Sequence, residues 1–299
     1  MTTSATTPFT YVRPSSVEEA SRLLSRGGGS ARLIAGGHSL IPLMKTRLVS
    51  PEVLIDLSAI AGLSGISSDA NGLNIGAMTS YEAIESSEAV QKGAQALAEA
   101  ASQVADVQVR NWGTIGGAIA YSDPAGDLPA VVLALEATMS ARSARASRTI
   151  PADRFFRDFL TTALRGNEVL TEIHIPAQGD GTGSAYAKLA NKASHYALVG
   201  VATVIQLDSS GTTTKARIGV TGAGPFAKRS RRAERILEGK ELTEVVVRRA
   251  AERVGVEYQG MFNEDIHASA EYRAAMAKVI GARAINMAAE RARYNETFR

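Results

Sequence analysis

Two glycine pairs, each beside an apolar run, constrain the fold of this chain most strongly. The first lies in "RLIAGGHSL" at Arg32–Leu40, and the second lies in "NWGTIGGAIAYSDPAGD" at Asn111–Asp127. Glycine has no Cβ, so backbone N–H groups at such positions approach a ligand closely, and successive N–H groups form a nest for phosphate oxygens. Two such loops, far apart in the sequence, favour a diphosphate-bearing ligand that lies between them.

Neither glycine segment matches G-x-G-x-x-G or G-x-x-x-x-G-K-[ST], so a Rossmann or P-loop site is not supported. Taken alone, each segment is more simply a structural turn, and only the pair indicates a binding site. The sequence "GHS" around His38 is not a nucleophile elbow, and the four histidines lack the spacing of metal ligands. We therefore predict neither a catalytic residue nor a metal site, and we expect His38 to form a hydrogen bond within its loop.

The composition excludes several classes of protein. Among 299 residues, 33 basic and 30 acidic side chains leave a net charge of +3, which is too balanced for a nucleic-acid-binding protein. The absence of cysteine excludes disulfides, zinc–thiolate sites and cysteine-bound iron–sulfur clusters within the chain. No apolar run reaches the roughly 18 residues of a membrane span, and the stretch "MTTSATTPFTYVRP" lacks the pattern of a signal peptide.

The hydrophobic periodicity predicts alternating helices and strands in the first part of the chain. A helix over "SSVEEASRLLSR" begins after Ser15 or Ser16, and the strands "ARLIAGG" and "EVLIDLS" follow. The pair Asn71-Gly72 predicts a hairpin. One helix, or two helices separated near Gly93, is expected over residues 79–105, and another helix over Leu128–Met139.

A change of pattern near Gln178 predicts a domain boundary. The sequence "QGDGTGSA" at Gln178–Ala185 has the composition of a linker or exposed turn. A meander of strands follows it, and the chain beyond Pro225 has helical periodicity. We therefore expect an α/β portion before the boundary and an α+β portion after it.

Four segments together resemble the FAD-binding medium subunits of molybdenum hydroxylases, a family that includes the medium subunit of aerobic carbon monoxide dehydrogenase and the FAD domain of xanthine dehydrogenase. They are "AGGHSLIPLMKTRL", "IGAMTSY", "VRNWGTIGGAIAYSDPAGDLPAV" and "SAEYRAAMA", in the order of the family. The resemblance covers nearly the whole chain. It implies an FAD-binding fold of the vanillyl-alcohol oxidase (PCMH) type, with two α/β subdomains at residues 1–60 and 61–178. A carbon monoxide dehydrogenase flavoprotein C-terminal α+β domain would follow at residues 179–299.

The resemblance also implies which residues hold a noncovalent FAD. Two segments would clamp its diphosphate: Arg32, Leu33, Ile34, Ala35, Gly36, Gly37, His38 and Ser39 in the first, and Gly113, Thr114, Ile115, Gly116 and Gly117 in the second. Further residues are implied at the flavin site (Thr79), the adenosine ribose (Asp123 or Asp127), the adenine end (Leu170), the vicinity of the cofactor (Lys188) and the face of the isoalloxazine ring (Tyr196).

One segment departs from the family, which often has K-x-x-x-R-x-x-D-[YI]-A where this chain has Lys188, Lys192, His195 and Tyr196. Lysine in place of arginine keeps the charge but loses the planar fork of donors. Histidine in place of aspartate removes a fixed negative charge. Electrostatic tuning of the flavin therefore does not carry over from relatives, whereas the diphosphate clamp is unaffected. Trp112, beside the second glycine segment, is expected to pack behind it.

The resemblance implies electron transfer rather than substrate chemistry. Electrons would pass from a molybdopterin centre on a large subunit to [2Fe–2S] clusters on a separate small subunit, and from these clusters to FAD on this chain. FAD would then reduce a quinone, NAD or oxygen. The absence of cysteine agrees with clusters held by partners. The carbon monoxide dehydrogenase branch is the nearest; the substrate of the complex could instead be an aromatic N-heterocycle, such as nicotine or a purine, or an aldehyde. The resemblance further implies a dimer of heterotrimers. The complex would be located in the cytoplasm, where a peripheral position at the inner face of the membrane is also open to it.

Two other classes of function stay open. A stand-alone flavin oxidase of the same fold needs a cap domain over its substrate, and no large insertion follows Gln178 to form one. A non-enzymatic nucleotide-binding or scaffold protein is indicated only by the basic clusters Arg142–Arg148 and Lys228–Arg235, which a solvated loop and a solvated helix face also explain.

Overall fold

The computed structural model of the chain describes residues 6–297, with side chains described through residue 294. Residues 1–5, which begin the stretch tested for a signal peptide, and residues 298–299 lie outside the described part. The strands are β1 Thr10–Val12, β2 Ala31–Ile34, β3 Val53–Asp56, β4 Ile66–Asp69, β5 Gly72–Gly76, β6 Thr138–Arg142, β7 Ser147–Pro151, β8 Phe156–Asp158, β9 Thr161–Thr162, β10 Val169–Pro176, β11 Thr182–Ala190, β12 Ala197–Leu207, β13 Thr213–Thr221 and β14 Lys228–Arg229. The helices are α1 Val17–Gly27, α2 Leu40–Lys45, α3 Tyr81–Ser86, α4 Glu88–Gly93, α5 Gln95–Ser102, α6 Val107–Trp112, α7 Ile115–Tyr121, α8 Leu128–Ala134, α9 Arg231–Leu237, α10 Glu244–Ala251 and α11 Ala270–Thr297.

The first sheet is parallel, with strand order β1-β3-β2. Helix α1 begins at the predicted cap, where the Ser16 hydroxyl accepts a hydrogen bond from the Glu19 N–H at 3.2 Å. Val17 and Ala20 of this helix are buried with Ile55 of the central strand. The first glycine loop therefore leaves the carboxyl end of edge strand β2 and leads directly into α2.

The second sheet is antiparallel, with order β4-β5-β10-β6-β7. The hairpin predicted at Asn71-Gly72 is confirmed, and the central strand β10 pairs with β5 on one side and β6 on the other. Residues 79–105 contain three helices, α3 to α5, because Ser80 and Ser87 each cap a new helix. The helix predicted to reach Met139 is wrong beyond Ala134, since Glu136 has a φ of 53° and β6 then begins.

The third sheet has the order β11-β12-β13-β14, and helix α11 packs across β11 and β12. Helix α8 lies just before β6 of the second sheet in the chain, and it packs on strands β12 and β13 of the third sheet. At this contact a methyl group on Gly219 would lie 1.9 Å from the carbonyl oxygen of Ala130. The α8 backbone therefore touches the sheet directly, which fixes the third sheet against the part of the chain that carries the glycine segments.

Residues 6–297 contain four sheets, since β8 and β9 pair as a small antiparallel sheet of their own. Each sheet falls within one of the ranges 1–60, 61–178 and 179–299, and these ranges remain a prediction as domain boundaries. The α/β portion does precede the α+β portion. Within the same described residues, no helix combines the length and the apolar character that crossing a membrane requires.

We predict that Gly219→Ala lowers the free energy of unfolding by about 1–3 kcal/mol, because the new methyl group forces α8 away from β13. Urea unfolding of the full chain measures the change. Gly166→Ala is the control, since its methyl group meets no atom within 4 Å. An equal decrease in the free energy of unfolding in both variants would contradict the close contact between α8 and the sheet.

Candidate functional site

The first glycine loop presents free backbone donors. Gly37 has a φ of 72°, a conformation that favours glycine, and the His38 ring Nδ1 lies 2.6 Å from the carbonyl oxygen of Gly36, as expected of a hydrogen-bonding loop histidine. Among the described residues, no acceptor takes a hydrogen bond from the N–H groups of Gly37, His38 or Ser39. Three successive donors at the end of β2 are therefore available to an anionic ligand.

The second glycine segment is the start of a helix, so its prediction as a loop is wrong. Thr114 caps α7, and its hydroxyl oxygen accepts a hydrogen bond from the Gly117 N–H at 3.1 Å. Three more N–H groups of the segment donate to protein carbonyls, from Gly113 to Val109 at 2.7 Å, from Ile115 to Thr79 at 3.0 Å and from Gly116 to Ala77 at 2.8 Å. These donors stabilise the segment itself, in contrast to the free donors of the first loop.

The glycines of both segments permit close packing of backbone against backbone. A methyl group on Gly36 would lie 2.1 Å from the carbonyl oxygen of Trp112, and one on Gly116 would lie 2.5 Å from the Ala77 Cβ. The prediction that Trp112 packs behind the segment is wrong, because 69% of this residue is exposed and only its carbonyl is at the contact. The first loop is thus held against the end of α6 at a distance that only glycine allows.

Three cavities of the described residues adjoin one another along the first loop, and all three are bordered by His38, Ser39 and Tyr121. The one between the two glycine segments has a volume of about 360 Å³. It is lined by predicted site residues: Arg32, Leu33, Ile34, Ala35, Gly36, Gly37, His38, Ser39, Gly113, Thr114, Gly116, Gly117 and Leu170.

The two other cavities bring in the predicted residues near the third sheet. Asp123 and Tyr196 border both of them, and Asp127 borders the smaller one of about 190 Å³. The larger has a volume of about 540 Å³ and extends to Arg273 on α11. The three cavities share lining residues and form one cleft, whose parts differ in their chemistry and so suit a ligand with chemically distinct ends.

Three predicted site residues do not border these cavities. Ile115 is fully buried. The Thr79 hydroxyl donates to the Gly65 carbonyl at 3.1 Å and accepts from the Gly65 N–H at 3.0 Å, behind the wall of the cleft. Lys188 is also buried, in the cluster described next. A direct contact between any of the three and a ligand stays a prediction.

Asp127 and Lys188 form a buried ion pair beside the smaller cavity. The Lys188 ammonium donates to Asp127 Oδ2 at 3.0 Å, and the Tyr186 hydroxyl donates to Asp127 Oδ1 at 2.5 Å. The two side chains of the ion pair are only 5% and 2% exposed. Burial raises the pKa of Asp127 to about 6, and the positive charge of Lys188 limits this rise.

Tyr196 lies where the two cavities near the third sheet meet, and it is 45% exposed. Burial of its ring raises the pKa of Tyr196, a nearby Asp123 carboxylate adds to the rise, and a hydrogen bond with the Ser39 side chain opposes it. Tyr196 therefore lies beside Ser39 of the first glycine loop, and both residues border the same two cavities.

Sequence reasoning missed Tyr121, which borders every part of the cleft. It ends helix α7, four residues after Gly117, and burial raises the pKa of its phenol. Recognition of Thr114 as a helix cap would have placed Tyr121 about two turns further along the same helix. That is the signal by which it could have been found.

Comparison with known proteins identifies the family. The family of the FAD binding domain in molybdopterin dehydrogenase matches residues 7–178, and the CO dehydrogenase flavoprotein C-terminal domain matches residues 184–288. The chain belongs to the molybdopterin dehydrogenase flavoproteins. The resemblance found in the sequence and the expected fold class are thereby confirmed.

The sequences of individual relatives align with this flavoprotein over nearly their whole length. This chain is 42% identical to the carbon monoxide dehydrogenase medium chain of Hydrogenophaga pseudoflava, over 94% of this chain and 96% of that one. It is 37% identical to the nicotine 6-hydroxylase medium subunit of Paenarthrobacter nicotinovorans, over 88% and 91%. A carbon monoxide dehydrogenase structure from Hydrogenophaga pseudoflava, which lacks the Mo-pyranopterin moiety of its cofactor, superposes with a TM-score of 0.91 at 43% identity, over 96% and 99%.

The residues of this flavoprotein fit FAD. Gly37 has a φ of 72°, a conformation that a residue with a side chain adopts only with strain, so the shape of the loop favours glycine there. The three free N–H groups are suitable donors for a diphosphate, and the cleft has polar and aromatic residues suited to the remainder of the cofactor. The chemistry of this cleft therefore fits FAD.

We predict that Gly36→Ala weakens FAD binding by about tenfold, because the methyl group displaces the first loop from the Trp112 carbonyl and so misplaces its donors. Titration of the full chain with FAD, followed by flavin fluorescence, gives the dissociation constant. Gly29→Ala is the matched control, since its methyl group meets open space. Unchanged affinity in Gly36→Ala would show that the contact does not set the loop.

We predict that Lys188→Met destabilises the chain more near pH 8 than near pH 5. Without Lys188 the folded pKa of Asp127 rises further above the unfolded value of 3.8, so the native state binds more protons between those pKa values. The free energy of unfolding then falls as pH rises through that window. The loss reaches about 3–5 kcal/mol where the unpaired carboxylate is ionised.

Urea unfolding at the two pH values measures this difference. Lys192→Met is the control, because it removes the same charge from an exposed side chain in the loop that follows β11. A loss in Lys188→Met that is the same at both pH values would contradict a buried pair.

Proposed function

We propose that the chain is the FAD-binding electron-transfer subunit of a heterotrimeric molybdenum hydroxylase, most like aerobic carbon monoxide dehydrogenase. Electrons would come from [2Fe–2S] clusters of a small subunit and leave for an external acceptor. The substrate would be oxidised at a molybdopterin centre on a large subunit. Bound FAD supplies the redox chemistry, and this chain supplies its binding, orientation and electrostatic surroundings.

The observation that carries the proposal is the row of free N–H groups at Gly37, His38 and Ser39, which face no protein acceptor in the described residues. They adjoin the cavity of about 360 Å³ that both glycine segments line. Charged oxygens of a diphosphate are strong acceptors for such a row of amides. The first loop would therefore bind the diphosphate directly, while the second segment would fix the first loop in place.

Asp123 and Asp127 differ in the carboxylate oxygens that they leave free to accept a hydrogen bond from a ligand. Both oxygens of Asp127 already accept hydrogen bonds, from Tyr186 and Lys188. Asp123 accepts one at Oδ1, from the Ala125 N–H at 2.9 Å, and borders two of the cavities. Asp123 would thus accept from the adenosine ribose, with Leu170 at the adenine end and Tyr196 against the isoalloxazine ring.

The oxidised substrate would be carbon monoxide, and an aromatic N-heterocycle is the second candidate. Identity to the carbon monoxide dehydrogenase chain is 42%, and identity to the nicotine 6-hydroxylase chain is 37%. This small difference is expected when substrate chemistry takes place on another subunit, because the flavin cleft is then under no selection for the substrate.

The remaining features of the assembly follow from the same role. We propose a small [2Fe–2S] subunit and a large molybdopterin subunit as partners, in a dimer of heterotrimers. A quinone, NAD or oxygen would take the electrons at the cleft. The complex would work in the cytoplasm, with a peripheral place at the inner membrane face if a membrane quinone is the acceptor.

The chain purified together with its partner subunits tests the proposal. We expect a visible flavin spectrum and the release of FAD on denaturation, at about one per chain, because noncovalent binding ends when the cleft unfolds. A colourless preparation that releases no FAD would overturn the proposal. Aerobic turnover of a small substrate by the isolated chain would instead favour a stand-alone flavin oxidase.

A further inference from the structure

We infer that Lys188 is a positioning residue, which holds Tyr196 at the cleft through the carbonyl of His195 and makes no direct contact with the cofactor. The role of Tyr196 toward FAD rests on the proposed function. The placement of Tyr196 by Lys188 rests on the contacts of the chain alone.

The Lys188 ammonium has no donor left for a ligand. An ammonium group carries three N–H donors. In the described residues they reach the Gln103 carbonyl at 2.7 Å, the His195 carbonyl at 2.9 Å and the Asp127 carboxylate at 3.0 Å. With its side chain 2% exposed, Lys188 cannot bind an anion without breaking one of these bonds.

The three acceptors belong to three separate segments of the chain. Gln103 ends helix α5, Asp127 precedes helix α8, and His195 lies in the loop between strands β11 and β12. One buried ammonium therefore connects the loop of residues 191–196 to two helices. Its loss would leave the carbonyls of Gln103 and His195 and the carboxylate of Asp127 without this donor.

The loop of residues 191–196 has a defined shape that transmits this connection. The Asn191 N–H donates to the Tyr196 carbonyl at 2.8 Å, and the His195 N–H donates to the Asn191 carbonyl at 2.9 Å. His195 has a φ of 60°, in the left-handed region that histidine enters more readily than most residues. The His195 carbonyl and Tyr196 are joined by one peptide bond, so a displacement of one moves the other.

Tyr196 lies at the wall of the cleft, so the contact of Lys188 with the preceding carbonyl helps to set its position there. Its side chain borders both cavities near the third sheet, and Ser39, in the loop with the free N–H groups, borders the same two cavities. A fixed Lys188 thus fixes the aromatic surface of the cleft opposite the first glycine loop.

Hydrogen–deuterium exchange on the full chain without added FAD tests the placement. We expect Lys188→Met to speed exchange of the amides of residues 191–196 by about tenfold, because one charge-assisted hydrogen bond to the loop is lost. Lys192→Met, on the same loop, is expected to leave them unchanged. Exchange that is unaltered by Lys188→Met would overturn the inference. Lys188→Gln gives the same comparison should the methionine variant not fold.

A double-mutant cycle on the FAD dissociation constant separates positioning from direct contact. We expect Tyr196→Ala to weaken binding by about fivefold, and Lys188→Met to add nothing in the Tyr196→Ala background. Additive losses would show that Lys188 acts on the cofactor independently of Tyr196 and would overturn the inference. If Tyr196→Ala leaves FAD affinity unchanged, the proposed stacking is wrong, and the exchange experiment still decides the placement.

Discussion

The cleft of this flavoprotein depends on the approach of one backbone to another, at Gly36 and Trp112. A Cβ at Gly36 would stand 2.1 Å from the Trp112 carbonyl, so the first loop reaches its place only without a side chain. Since Thr114, Gly116 and Gly117 direct their hydrogen bonds into the protein, the helix start at α7 is a rigid support for that loop. The N–H groups of Gly37, His38 and Ser39 are available because the loop is positioned by this close contact and by hydrogen bonds to its carbonyl oxygens, which leave these N–H groups free.

A buried ion pair secures the other side of the cleft. Asp127 and Lys188 are almost fully removed from water, and burial of such a pair is costly unless further hydrogen bonds complete it. Here Tyr186, Gln103 and the His195 carbonyl complete it. The cleft is thus bounded by two rigid devices of different kinds, a steric contact between glycine and carbonyl and a satisfied polar cluster.

Local signals in the sequence predicted the elements that depend on local interactions. The Ser16 cap and the Asn71-Gly72 hairpin are decided by bonds within a few residues, and both were predicted. The helix start at Thr114 was missed although its cap bond, from the Gly117 N–H to the Thr114 hydroxyl, is also local, because the glycines of the segment favoured a loop. The surroundings of Lys188 were beyond reach, since its acceptor Gln103 lies 85 residues distant. The family resemblance supplied the cofactor, whereas only the fold separates residues that face the cleft from those that support it.

The bond from Lys188 to the His195 carbonyl has an evolutionary consequence. A main-chain carbonyl is present whatever the side chain, so natural variation at position 195 leaves this attachment intact wherever the residue tolerates a left-handed backbone. The side chain itself borders the cavity of about 190 Å³. A change of side chain at position 195 therefore alters the group that faces this cavity on an unaltered scaffold. Position 195 is a place where the chemistry of the cleft can vary separately from the architecture.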